Sequence, residues 1–395
     1  MNLSFDNTAA AFAYKTDKDL KSAKRLFTTM SYPILTTMGV RFTPFLVKTG
    51  LPIDGLIRKT IFKQFVGGES LEKTVPVCEM LNSYGVDVIL DYGVEGKESE
   101  ESFDHAADEF VRVLRFAASQ KNIPVIAIKV TGLARFGLLE KLNEAPRLRS
   151  GVHDSESERA EWERVRNRMI RICDAAVETG IGVLVDAEES WIQDPIDRIT
   201  MEMMEIYNKD KAIVFNTIQL YRHDRLGFLK LSHRIAQERK FILGVKLVRG
   251  AYMEKERARA ASLGYDSPIQ KDKAATDNDY NLALAYCFDH IDGIAYVVAT
   301  HNEQSTMLAA QQLDAKGLPH HHRHVHFSQL YGMSDNITFN LAKERYSVSK
   351  YVPFGPIRDV VPYLMRRAQE NSSVKGQTGR ELALIKKEME RRKNK

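Results

Sequence analysis

The sequence predicts an α/β protein built on a (β/α)8 barrel, and three observations predict it. From about residue 76, β-branched apolar runs alternate with amphipathic helical stretches, the pattern of parallel strands covered by crossover helices. Eight such runs fall between residues 86 and 349, close to the usual barrel size of about 250 residues. Nearly every run ends on a polar or charged residue, and the C-terminal ends of barrel strands are where such folds keep their chemistry. A doubly wound open sheet is the alternative, but no GxGxxG or Walker-type turn follows the first run.

The runs are 86–90 before Asp91, 125–128 before Lys129, 182–185 before Asp186, and 213–218 before Gln219. Then come 242–245 before Lys246, 294–299 before Thr300 and His301, 325–328 before Gln329, and 346–349 before Lys350 and Tyr351. Ahead of them, residues 1–75 read as an N-terminal helical arm. Leu20, Ala23, Phe27 and Met30 recur there at helical spacing, and Tyr32-Pro33 breaks the helix. The stretch 34–65 mixes apolar residues with Arg41, Lys48, Arg58, Lys59 and Lys63. It suits an arm packed on the main domain, or one in peripheral contact with a membrane surface. Residues 76–375 are the expected barrel and 376–395 a basic C-terminal tail, helical or frayed at its end.

Two segments interrupt the rhythm. Residues 156–171 are so charged that they read as a solvated helix face. His320-His321-His322-Arg323-His324-Val325-His326 holds five of the eleven histidines. Its first part enters the seventh run from the N-terminal side, opposite the catalytic face, and lacks a Cys or carboxylate at ligand spacing, so no metal site is expected.

Composition narrows the function. The chain of 395 residues is 44% hydrophobic and 28% charged, and its net charge of +5 makes no case for nucleic acid. Cys78, Cys173 and Cys287 match no metal or redox spacing and suit core positions in a reducing compartment. Asp6, Asp17 and Asp19 interrupt any leader-like apolar run, so the expected location is cytoplasmic, or peripheral on the inner face of the membrane.

At the strand ends, Lys129 or Lys246 could serve as an amine nucleophile in an aldolase-type barrel. Asp186, Glu188 and Glu189 could hold a hard cation, but lysines on the neighbouring strand ends oppose one. Pairing of Lys129 with Asp186 is simpler. The stretch Lys246-Leu247-Val248-Arg249-Gly250-Ala251-Tyr252 joins strand-end charge to a glycine turn and a large aromatic. A second stretch, Tyr363-Leu364-Met365-Arg366-Arg367-Ala368-Gln369-Glu370-Asn371, sets two adjacent arginines in an apolar helical turn. Alone it reads as a solvated face with an Arg–Glu370 pair, or as a cradle for a bound carboxylate.

Together these two stretches resemble the proline dehydrogenase family. Shorter matches fall in order at Ala127-Ile128-Lys129, Asp186-Ala187-Glu188-Glu189, Ile218-Gln219-Leu220-Tyr221, Thr300-His301-Asn302 and Gln329-Leu330-Tyr331-Gly332-Met333. The spellings Val248-Arg249-Gly250 and Tyr351-Val352-Pro353 are nearer the stand-alone, mitochondrial-type branch. The resemblance implies a distorted barrel with its last helix over the mouth, non-covalent FAD, and oxidation of L-proline to Δ1-pyrroline-5-carboxylate with a quinone as acceptor. It implies that Arg366, Arg367 and Lys129 hold the proline carboxylate, with Asp186 orienting Lys129. Leu247, Tyr252, Tyr351 and Tyr363 would line the ring pocket, Tyr351 favouring proline over hydroxyproline. Lys246 would reach flavin N5. Gln219, Val248, Gly250, Ala251, Thr276, Thr300, His301, Gln329 and Glu370 would contact the cofactor. Pro362 would kink or restart the last helix.

Overall fold

The computed structural model describes residues 3–32, 54–93, 98–144, 155–373 and 377–394. Eight parallel strands close into a barrel in sequence order: β1 (Asp87–Tyr92), β2 (Val125–Ile128), β3 (Gly182–Val185), β4 (Val214–Gln219), β5 (Leu243–Val248), β6 (Ile294–Ala299), β7 (Val325–Leu330) and β8 (Val348–Phe354). Each predicted run lies on one of them. The ends differ: β5 continues through Lys246 to Val248, and β8 through Lys350 and Tyr351 to Phe354. Charge in the sequence suggested a stop there. The backbone keeps pairing because each lysine finds an anionic partner where it is buried, which removes the penalty of an unpaired charge.

Register fixes which residues share a face. Lys246 pairs with Thr217 on β4 and with Val297 on β6, and Val185 with Asn216. Side chains alternate along each strand, so Asn216 turns to the helical layer, where its amide donates to Asp197 on the helix Ser190–Tyr207 at 2.9 Å.

Two compact units make up the chain, 94–327 on one hand and 1–93 with 328–395 on the other. In the first, crossover helices bury one apolar stripe each. The helix Glu100–Ala118 buries Phe103, Ala106, Ala107, Phe110, Val113, Leu114 and Ala117, and Ser99 caps its start. The charged stretch 156–171 belongs to the crossover helix Glu156–Thr179, which Gly180 terminates at φ 72°. It is not merely a solvated face. Arg168 is buried on it, bonded to Glu100, to Asp104 at 2.7 Å and to the Leu133 carbonyl at 3.0 Å.

In the second unit the two chain ends form one core. Ala11, Phe12, Leu20, Phe27, Phe65, Val360, Leu364, Leu384 and Ile385 pack together. The helix Asp17–Met30 opens on a Thr16/Asp19 capping box and ends at Ser31. It packs on the helix Gln377–Lys393. The basic C-terminal stretch, expected to be helical or frayed, is helical. Residues 377–393 are a docked helix, because its basic residues have specific acceptors. Glu388 is fully buried between Arg391 and Arg392, and Arg392 also donates to the carbonyls of Phe12 and Lys15. Of the candidate arm 34–65, residues 34–53 lie outside the described residues. No helix among the described residues is long and apolar enough to cross a membrane.

Candidate active site at the strand ends

Lys129 follows β2, Asp186 follows β3 and Lys246 lies on β5, and the three side chains meet. The Asp186 amide donates to the Ile128 carbonyl at 2.9 Å, carrying the β2–β3 ladder one residue past the strand and fixing the carboxylate. Lys129 Nζ lies 3.4 Å from Asp186 Oδ2, and Lys246 Nζ bonds Oδ1. The side chains are 9%, 7% and 15% exposed for Lys129, Lys246 and Asp186, so two nearly buried cations share one anion.

Beside them Thr131 holds Glu188. Its hydroxyl lies 2.9 and 2.7 Å from the two carboxylate oxygens, and its amide donates at 3.2 Å. Burial pushes the Glu188 carboxyl up to about 7, against the pull of Thr131 and Lys129. The Glu188 backbone is fixed at both ends: its amide donates to Gln193 at 2.7 Å, and its carbonyl accepts from Gln219 Nε2 at 3.0 Å. That leaves Gln219 Oε1 buried with no partner. The oxygens of Asp186, Glu188 and Glu189 do not converge on a cation position. They face lysines, Thr131 and Lys255 respectively.

The segment after β5 is built around Gly250. Its φ is 139°, and a Cβ there would lie 2.4 Å from ring carbons of Tyr221, so only glycine fits. Leu220 and Tyr221 extend the β4–β5 ladder by donating to Val248 and Arg249 at 2.9 and 2.7 Å. Arg249 then becomes an anchor. It donates to Asp277 at 2.7 Å, Thr300 at 2.6 Å and Ser305 at 3.1 Å, and covers the Tyr280 ring at 4.4 Å. The sequence places Arg249 in the Lys246–Tyr252 motif without marking a role for it. A strand-end arginine followed by the acid Asp277 in the next helical stretch was the available signal.

The other predicted residues distribute as follows. Val248 and Tyr252 are half-buried, Ala251 is exposed, and Leu247 is fully buried with its carbonyl accepting from the Tyr280 hydroxyl at 3.2 Å. Thr300, at the end of β6, accepts from Arg249 and from the Asn302 amide, and His301 beside it is half-buried. Thr276 bonds the Asp272 carbonyl within its own helix at 3.3 Å.

In the second unit, Tyr351 lies buried on β8, its carbonyl accepting from the Tyr331 amide at 2.9 Å. The helix Ile357–Ser373 runs through Pro362 without restarting. Arg367 is buried, its guanidinium 5.0 Å from the Tyr363 ring one turn earlier, and Arg366 is half-buried. The side chain of Glu370 lies outside the described residues. Gln329 is turned to the helix that follows β7, its oxygen accepting from Thr338 at 2.8 Å.

The histidine cluster is tied down piecemeal. His320 pairs with Asp314 at 2.9 Å, and buried His324 bonds the Ile291 carbonyl at 2.6 Å. His326 lies on β7, and burial holds its imidazole down at about 4.

Comparison with known proteins adds three findings. A family model described as proline dehydrogenase matches residues 75–380. The chain is 31% identical to proline dehydrogenase 1, mitochondrial, of Dictyostelium discoideum over 98% of its own length and 74% of the relative's, and 32% identical to hydroxyproline dehydrogenase of Xenopus laevis over 85% and 78%. Among solved structures, proline utilization A from Bdellovibrio bacteriovorus, inactivated by N-propargylglycine, superposes with a TM-score of 0.71 at 21% identity. That match covers 93% of this chain and 38% of that protein, and it establishes a shared fold.

Proposed function

The chain belongs to the proline dehydrogenase family of oxidoreductases, and from that premise we propose that it oxidises L-proline to Δ1-pyrroline-5-carboxylate on bound FAD, with a quinone as final acceptor. The observation that carries this reading is the strand-end cluster, two nearly buried lysines on a single carboxylate. Two ammonium groups held side by side at strand C-terminal ends suit a substrate carboxylate.

Several features fit a flavin. Gln219 offers a buried acceptor without a partner, suited to a ring N–H. Gly250 lets the backbone after β5 pass close over Tyr221, with Thr300 and His301 following β6. Gln219, Val248, Gly250, Thr300 and His301 would hold the cofactor, with Lys246 beside its reactive edge. When bound, the flavin supplies the two-electron acceptor for oxidation of the ring carbon next to nitrogen.

The chain's own residues supply binding and orientation. Lys129, Arg366 and Arg367 clamp the carboxylate through charge-assisted bonds. Asp186 fixes Lys129 and Lys246 at once, so the clamp and the residue nearest the cofactor move together. Tyr252, Tyr351 and Tyr363 form walls for the pyrrolidine ring and keep water out. The cations also lower the pKa of the substrate amine, favouring the neutral form that reacts. The Schiff-base alternative loses ground, because both candidate amines are engaged with Asp186 and neither is a free nucleophile.

A quinone acceptor implies contact with a bilayer surface, for which 34–65 is the candidate segment. The test is the absorption spectrum of the purified protein. A bound flavin that bleaches anaerobically with L-proline, and less readily with trans-4-hydroxy-L-proline, is expected. Protein that is colourless and cannot be loaded with FAD would contradict it.

A further inference from the structure

A second set of charges is buried in the unit 1–93 with 328–395. Lys350 is 1% exposed, Asp335 3% and Glu381 5%. Lys350 precedes Tyr351 on β8, and strand alternation sends the two side chains to opposite faces. The Lys350 ammonium lies 2.9 Å from Asp335 Oδ1 and donates to the Met333 carbonyl at 2.5 Å. Asp335 Oδ2 accepts from the Tyr14 hydroxyl at 2.7 Å, with Lys15 at 3.8 Å. Glu381, on the C-terminal helix, accepts from the Ser334 amide.

The turn 330–335 is thus wrapped around an ammonium. Its backbone is unusual: Ser334 has φ 51° and Gly332 φ 79°, where a Cβ would lie 2.0 Å from the Gln64 carbonyl oxygen. A non-glycine residue in that region persists only where its surroundings over-determine it, and the bond from Ser334 to Glu381 is such a constraint. The same turn grips β8 twice, through the Lys350 ammonium on Met333 and through the Tyr331 amide on the Tyr351 carbonyl. A buried ion set is weak evidence for stability, since apolar replacements are often as good. Here it has a geometric product, a fixed height for the residue next to Lys350.

We propose that Lys350, Asp335 and Glu381 are positioning residues that set Tyr351, so that both chain ends define the shape of the ring pocket; this rests on the reading of Tyr351 as a pocket wall. Glu381→Ala removes the acceptor from Ser334, Glu381→Gln restores a neutral acceptor, and Tyr14→Phe removes one hydroxyl from Asp335. For Glu381→Ala, KM for L-proline should rise about threefold or more with kcat within about twofold, and the preference for proline over 4-hydroxyproline should fall about threefold. Glu381→Gln should recover most of the loss, and Tyr14→Phe should shift KM the same way by less. Amide exchange in peptides covering 330–335 and 348–354 should quicken about tenfold in Glu381→Ala. Lower melting temperatures with unchanged KM, preference and exchange would overturn the proposal. The exchange arm needs no turnover. If the wild type does not oxidise proline, the functional reading fails separately, and unchanged exchange at 348–354 would still sink the positioning role.

Discussion

In the strand-end cluster two ammonium groups, Lys129 and Lys246, share the carboxylate of Asp186. Around Asp335 two ammonium groups, Lys15 and Lys350, face two carboxylates, Asp335 and Glu381. Both clusters are nearly dry, and each includes a glutamate, Glu188 or Glu381, that burial pushes up to about 7. The difference lies in the remaining groups. Asp335 and Glu381 are closed off by Tyr14, Ser334 and the lysines, and they fix backbone. Asp186 instead ties together two lysines at strand C-terminal ends, where barrels keep their chemistry. The same residue types thus fix a backbone turn in one place and stand at the strand C-terminal ends in the other.

The largest effect should come from unbalancing the matched cluster. Asp335→Asn leaves Lys350 buried without its carboxylate, and a loss of about 3–5 kcal/mol in unfolding free energy is expected. Chemical denaturation measures it, and a loss under about 1 kcal/mol would mean the network is not held by charge. Next comes the recognition side. Arg367→Met should cost about 1.5–3 kcal/mol in proline binding, roughly a 10- to 150-fold rise in Kd, with flavin still bound. Unchanged affinity in a spectral titration would remove Arg367 from the clamp.

The smallest effect is a pH dependence. Glu188 has an ordinary value of 4.5 and a folded value of about 7, so between these the native state binds the extra proton. Its contribution to stability is then fully favourable at low pH and is lost as pH rises through about 7. Glu188→Gln should therefore match the wild type near pH 5 and exceed it by about 2 kcal/mol near pH 8.5. A gain of equal size at both pH values would show that ionisation of Glu188 is not its source.

Much of the barrel was legible in the sequence because parallel strands buried on both faces must be apolar over several residues, and eight such runs were visible. Strand ends were less legible. Lys246 and Lys350 read as boundaries, yet each continues a strand because a partner distant in sequence, Asp186 or Asp335, neutralises it. The docking of residues 377–393 was hidden for the same reason, since the acceptors of Arg392 include carbonyls near residue 12. Charge at neighbouring strand ends did pair Lys129 with Asp186, because β2 and β3 lie side by side. Charge could not assign the orientation of Gln329, which accepts from Thr338 on the next helix, nor the anchoring role of Arg249.

The carboxylate-binding role proposed for Lys129 and the two arginines is tested most directly by comparing L-proline with pyrrolidine, the same ring without its carboxylate, in anaerobic flavin reduction. A kcat/KM ratio of at least about 100 in favour of proline is expected from the loss of two charge-assisted contacts. Equal kcat/KM values for the two amines would contradict the carboxylate-binding role proposed for Lys129, Arg366 and Arg367.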